Sequence, residues 1–141
     1  MMQQSNSETK SMKKIVIGTL DSRTVEALKD KLGKGNYKIF VVQRGIDVLV
    51  KILDHDIDLL IMDIDLAGIM GVEVLPVVKR LRPRLPVILI TDDFNHRIRK
   101  VAAELGINYQ AFKPISTSET DAIVSATETI IERNLAPAPV F

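Results

Sequence analysis

The chain has 141 residues, of which 46% are apolar, with a formal net charge of +1 and no cysteine. That length and apolar content suit one domain with its own core, while the near-neutral charge removes any global pull toward nucleic acid or anionic membrane. The lack of cysteine excludes a disulfide framework and a thiolate metal site, and no apolar run approaches the ~20 residues of a membrane helix, so a cytoplasmic protein with neither nucleic acid nor membrane as partner is expected.

Residues 1–12 are rich in Gln, Ser, Asn and Thr and lack the apolar stretch of a secretory signal. They read as a disordered lead-in. Short apolar runs then appear at 14–19, 37–42, 58–62, 86–90 and 108–112. They are continuous Val/Ile/Leu stretches rather than strict alternations, the pattern of strands covered on both faces. A helix-period segment follows each. Val25, Leu28 and Leu32 share one face of the first, which Gly33 and Gly35 should end. Val48, Leu49, Ile52 and Leu53 mark the second, and Val74, Leu75, Val78 and Leu81 the third. Ile98, Val101, Ala102 and Leu105 mark the fourth, closed by Gly106. Ser116-Thr117-Ser118-Glu119 has the form of a capping box opening the fifth, with Ile123, Ala126 and Ile130 along one side.

Five strand–helix units in about 120 residues predict an α/β fold, a doubly wound five-stranded parallel sheet spanning 13–133. A flexible tail over 134–141 carries two prolines. In such sheets ligands bind beyond the carboxyl ends of the strands. Three of those ends carry chemistry: Asp63 after Leu59-Leu60-Ile61-Met62, Thr91 after Ile88-Leu89-Ile90, and Lys113 after Tyr109-Gln110-Ala111-Phe112. A carboxylate, a hydroxyl and an ammonium converging there suit phosphoryl handling.

These residues carry a family resemblance. The stretches Asp58-Leu59-Leu60-Ile61-Met62-Asp63 through Gly68 and Gly71, then Pro86-Val87-Ile88-Leu89-Ile90-Thr91, then Gly106 and Lys113-Pro114, resemble a response-regulator receiver domain of the CheY-like, flavodoxin-like (βα)5 type. The resemblance implies that Asp63 accepts a phosphoryl group from a histidine kinase, that the Thr91 hydroxyl swings to it, and that Lys113 neutralises it. It also implies a cis Lys113–Pro114 bond and a partner-docking face made by the fourth helix, fifth strand and fifth helix.

The departures point to an atypical, pseudo-receiver form. The family's Mg²⁺-holding acidic pair aligns with Thr19-Leu20, or with Gly18-Thr19 after a one-residue slip, and neither supplies a carboxylate. Asp21, the nearest acid, sits where a helix N-cap belongs and is read as a cap in preference to a ligand. The family's switch aromatic is replaced by Gln110, and the residue after Thr91 is Asp92, which would repel a phosphoryl donor if it pointed inward. Asp65 aligns with a position that uses its backbone carbonyl, so its side chain is read as solvated. The expected site is thus Asp63 balanced by Lys113, with no cofactor and with Mg²⁺ binding weak or absent.

Of the remaining features, His55 and His96 read as surface residues, since no second His or Cys has metal spacing. Arg97, Arg99 and Lys100 form a basic cluster on the fourth helix, and with Tyr109 they are the expected docking surface for a signalling partner or a homodimer. The functional reading is a stand-alone receiver in phosphorelay signalling that acts by protein–protein contact and is not an enzyme. The alternative is a haloacid-dehalogenase-like phosphatase using Asp63-Ile64-Asp65 and an aspartyl-phosphate intermediate. Against it, that family's Asp-x-Asp follows the first strand, not the third.

Overall fold

In the computed structural model, which describes residues 12–92, 96–113 and 115–135, every apolar run becomes a strand and every helix-period segment a helix. The strands are β1 (Lys13–Gly18), β2 (Tyr37–Val42), β3 (Leu59–Asp63), β4 (Val87–Thr91) and β5 (Tyr109–Phe112). The helices are α1 (Ser22–Leu32), α2 (Gly45–Asp54), α3 (Gly71–Leu81), α4 (His96–Leu105) and α5 (Thr117–Leu135). All strand pairings are parallel, in the order β2-β1-β3-β4-β5. Every residue of β3 and of β4 is buried, which explains why these two strands read as unbroken apolar runs.

Period-two alternation along the strands splits the core in two. Val16, Leu60, Met62, Val87 and Leu89 face Val48 and Ile52 of α2, Val74, Leu75 and Val78 of α3, and Ile98 and Ala102 of α4. Ile15, Ile17, Leu59, Ile61, Ile88 and Ile90 face Leu28 and Leu32 of α1 and Ile123 and Ile131 of α5. Two residues of the predicted helix faces are exposed instead: Leu53 at 63% and Leu81 at 40%. Each lies at the last turn of its helix, on the flank of the buried stripe.

The capping expectations have distinct outcomes. Asp21 is the N-cap of α1: its Oδ1 accepts from Arg23 N at 3.0 Å and its Oδ2 from the Thr24 hydroxyl at 2.9 Å. The Thr24 hydroxyl bond outweighs desolvation and, with the backbone bonds, holds the Asp21 carboxyl below its ordinary value. Asp21→Ala should lower the unfolding free energy by about 1 kcal/mol in urea titrations, with fold and pairing intact. Ser116 Oγ caps α5 by accepting from Glu119 N at 3.1 Å, whereas the Glu119 carboxylate accepts from the Tyr109 hydroxyl. Gly33 ends α1 in an ordinary right-handed conformation, while Gly106 closes α4 at φ +70°, where a side chain would be strained.

Helix α5 runs through Leu135, two residues into the segment assigned to the tail. The expectations for residues 1–11 and 136–141, and for Pro114 and its peptide bond, lie outside the described residues.

Candidate functional site

The parallel register brings the carboxyl ends of β1, β3, β4 and β5 together. Gly18 pairs with Met62, so the next residues, Thr19 and Asp63, emerge side by side. Asp63 pairs with Ile90, which sets Thr91 one step beyond, and Thr91 pairs with Phe112, which sets Lys113 next. Gly71 closes the floor: a Cβ there would come within 2.9 Å of the Asp63 carbonyl oxygen and 2.7 Å of Ile64 Cα, so only glycine lets α3 start this close.

Asp63 is 3% exposed. A carboxylate that deep needs partners, and it has three. Its Oδ1 accepts from Asp65 N at 2.9 Å and faces Lys113 Nζ at 2.9 Å, while its Oδ2 accepts from the Thr19 hydroxyl at 3.1 Å. Thr19, 1% exposed, in turn accepts from Asp21 N at 3.1 Å. The start of α1 is thereby linked through one hydroxyl to the Asp63 carboxylate. Leu20, the other residue aligned with the acidic pair, is 48% exposed.

Lys113 also reaches Asp65 Oδ2 at 2.5 Å. This corrects the reading of Asp65 as merely solvated. The ammonium is shared by two carboxylates, and the trio carries one net negative charge rather than the balance expected from Asp63 and Lys113 alone. Burial pushes the Lys113 ammonium toward a lower pKa, but the hydrogen bonds and charges of Asp63 and Asp65 outweigh it and raise the group above its ordinary value.

Thr91 is 1% exposed, and its hydroxyl accepts from Gln110 Nε2 at 2.9 Å. The Gln110 amide is therefore not hidden without a partner, as its replacement of an aromatic suggested. It ties the β4 hydroxyl to β5. Asp92 is exposed, which removes the concern that it points into the site. Tyr109 lies on the α5 side of β5, half-buried, with its hydroxyl 3.4 Å from Glu119. The Arg99 guanidinium stands 5.6 Å from the Phe112 ring, and Arg97 and Lys100 are exposed on α4.

All three predicted site residues converge, and two residues the sequence reading undervalued, Thr19 and Asp65, complete the cluster. Their signal was positional: Thr19 adjoins the end of β1, which the parallel register brings beside Asp63, and Asp65 lies two residues past Asp63 itself. Among the described residues, no three His, Cys, Asp or Glu side chains gather as a metal-ligand set.

The five-stranded parallel sheet, in the order β2-β1-β3-β4-β5, agrees with the fold that the comparisons give. The sequence profile of the response regulator receiver domain matches residues 21–125. The chain belongs to the response-regulator receiver family. It is 29% identical over 110 residues to the transcriptional regulatory protein CreB of Escherichia coli, covering 78% of this chain and 48% of that protein. The chain thus spans about half the length of that curated relative. A CheY-like receiver domain protein from Methanospirillum hungatei superposes with a TM-score of 0.75 at 23% identity, over 87% of this chain and 97% of the other. A two-component response regulator from Clostridium difficile gives 0.77 at 18% identity, over 89% and 100%. At such identities these two likenesses speak for the fold. The matched model is that of the receiver domain of response regulators, and it spans most of this chain. These matches lend no support to the phosphatase reading. Among the described residues, no helix is long and apolar enough to cross a membrane.

Proposed function

We propose that this receiver is an atypical signalling module of the cytoplasm. It acts by protein–protein contact rather than as an enzyme, and Asp63 is its phosphoacceptor, though a slow one. The observation that carries this reading is the Thr19 hydroxyl on Asp63 Oδ2. In the family that flank belongs to carboxylates holding a divalent cation. Here Thr19 is neutral, and the next acid along the chain, Asp21, is committed to capping α1.

A hard cation offered Asp63 and Asp65 would also have to compete with Lys113, which already bridges both. Few carboxylates plus water give Mg²⁺ little advantage over free solution, so the donor set does not fit the ion. Without that charge, Asp63 keeps its position as nucleophile, with Lys113 to stabilise the transferred group, but loses part of the electrostatic stabilisation of the transition state. The Gln110–Thr91 bond supports a signalling face that responds little to phosphorylation, since moving Thr91 toward Asp63 must first break it. The partner, a histidine kinase or another signalling protein, then meets a surface set by Arg97, Arg99 and Lys100 of α4 beside β5.

Intact-mass measurement after incubation with acetyl phosphate should show slow, partial addition that is insensitive to Mg²⁺ and absent in Asp63→Asn. Addition that survives this substitution would place the chemistry elsewhere. In a partner pull-down, Asp63→Ala should bind as the wild type does, and Arg97→Glu/Lys100→Glu should bind less. Loss of binding in Asp63→Ala with an intact fold would restore a phosphorylation-driven switch.

A further inference from the structure

Apolar side chains exposed singly are ordinary on a protein surface; a continuous stripe of them is not. On α2, Ile46, Val50 and Leu53 follow one another at spacings of four and three residues. On α3 and its N-cap, Met70, Val77 and Leu81 do the same at seven and four. All six are at least 40% exposed. Both helices run antiparallel to the strands and so parallel to each other.

Their relative height is fixed at both ends. A Cβ on Gly45 would touch the Ile69 carbonyl oxygen at 2.5 Å and Val74 at 2.8 Å, while Arg82, just past α3, donates to the Ile52 and His55 carbonyl oxygens near the end of α2. At 100° per residue, Ile46, Val50 and Leu53 fall on the flank of α2 that turns toward α3, because Lys51 on the opposite flank lies over Phe40 of β2. Met70, Val77 and Leu81 fall on the same side of α3 as Val74, which meets Gly45. The six therefore form three rungs along the α2–α3 seam, Ile46 with Met70, Val50 with Val77 and Leu53 with Leu81.

The charges beside this stripe decide what fits it. Exposed Glu73 precedes Val77 by four residues and exposed Arg80 follows it by three, nearly in line on the outer side of α3. A second copy of α3 laid antiparallel across Val77 sets Glu73 against Arg80 twice; a parallel copy sets like charges together. We propose that the α2–α3 face is an isologous dimer surface, two copies packing their helix pairs antiparallel into a four-helix layer about a two-fold axis near Val77. The α4–β5 surface stays open for a signalling partner, so this inference stands apart from the fate of Asp63.

The test is analytical ultracentrifugation of the full chain over a concentration series. The wild type should show a reversible monomer–dimer equilibrium. Val77→Asp, at a half-exposed position, should keep the wild-type circular dichroism spectrum and weaken the dimer more than about tenfold. Glu73→Arg and Arg80→Glu should each weaken it, and the two together should recover most of the loss, as direct pairing requires. A wild type that stays monomeric throughout overturns the proposal, and so does a dimer indifferent to Val77→Asp. A dimer broken instead by Arg97→Glu/Lys100→Glu places the contact on α4 and overturns it equally.

Discussion

Lys113→Met should lower the unfolding free energy by about 2–4 kcal/mol, among the largest effects of any single substitution at the site. Among the described residues, the ammonium is the only cation contacting Asp63, a carboxylate that is 3% exposed, and it also holds Asp65 beside it. Removing it leaves two carboxylates facing each other, with Asp63 supported, among the described residues, by one backbone N–H and the Thr19 hydroxyl. The estimate lies below that for a fully buried pair because the Lys113 side chain retains 23% exposure. Asp63→Asn should recover much of the loss in the double variant, since it removes the stranded charge.

The pH dependence has a definite sign. The folded-state pKa of Lys113 is raised above the ordinary 10.5 by Asp63 and Asp65. Its contribution is therefore complete below that ordinary value and is lost as pH rises through the folded one. Urea midpoints of the wild type should fall across that alkaline range by more than those of Lys113→Met. Parallel curves for the two proteins would show that the ion pair contributes nothing.

Thr19→Asp should convert the site into one that depends on a divalent cation. Thr19 Oγ1 lies 3.1 Å from Asp63 Oδ2, and both residues are buried. A carboxylate in place of the hydroxyl removes a donor and adds a like charge at contact distance, costing about 2–4 kcal/mol unless one group takes a proton. Mg²⁺ at millimolar concentration should reverse much of this by binding only the folded state, and the thermal midpoint should rise by several degrees. The wild type should not respond. Phosphoryl addition to Asp63 should become Mg²⁺-dependent in the variant and faster than in the wild type. Equal Mg²⁺ responses in both proteins would mean that the hydroxyl is not what sets the wild type's cation preference.

The sequence by itself determined the fold and the three corners of the site. Unbroken apolar runs such as Leu59–Met62 and Val87–Ile90, short and rich in Val, Ile and Leu, have the pattern of strands buried on both faces. With a helical period after each, the parallel sheet follows, and the ends of its strands carry Asp63, Thr91 and Lys113 to one edge. The cap role of Asp21 was equally legible, because capping is decided within three residues of the chain. What only the tertiary structure decided are the partners across that edge. Thr19 and Asp63 are 44 residues apart, and Lys113 and Asp65 are 48 apart. Whether such side chains bond depends on rotamers and on distances of a few tenths of an ångström, which residue type does not encode. Gln110 illustrates the limit: read alone, it is a polar residue in an aromatic's place, and only the strand register, which pairs Thr91 with Phe112 and sets Gln110 opposite Leu89, two residues behind Thr91 and on the same face, gives its amide a partner.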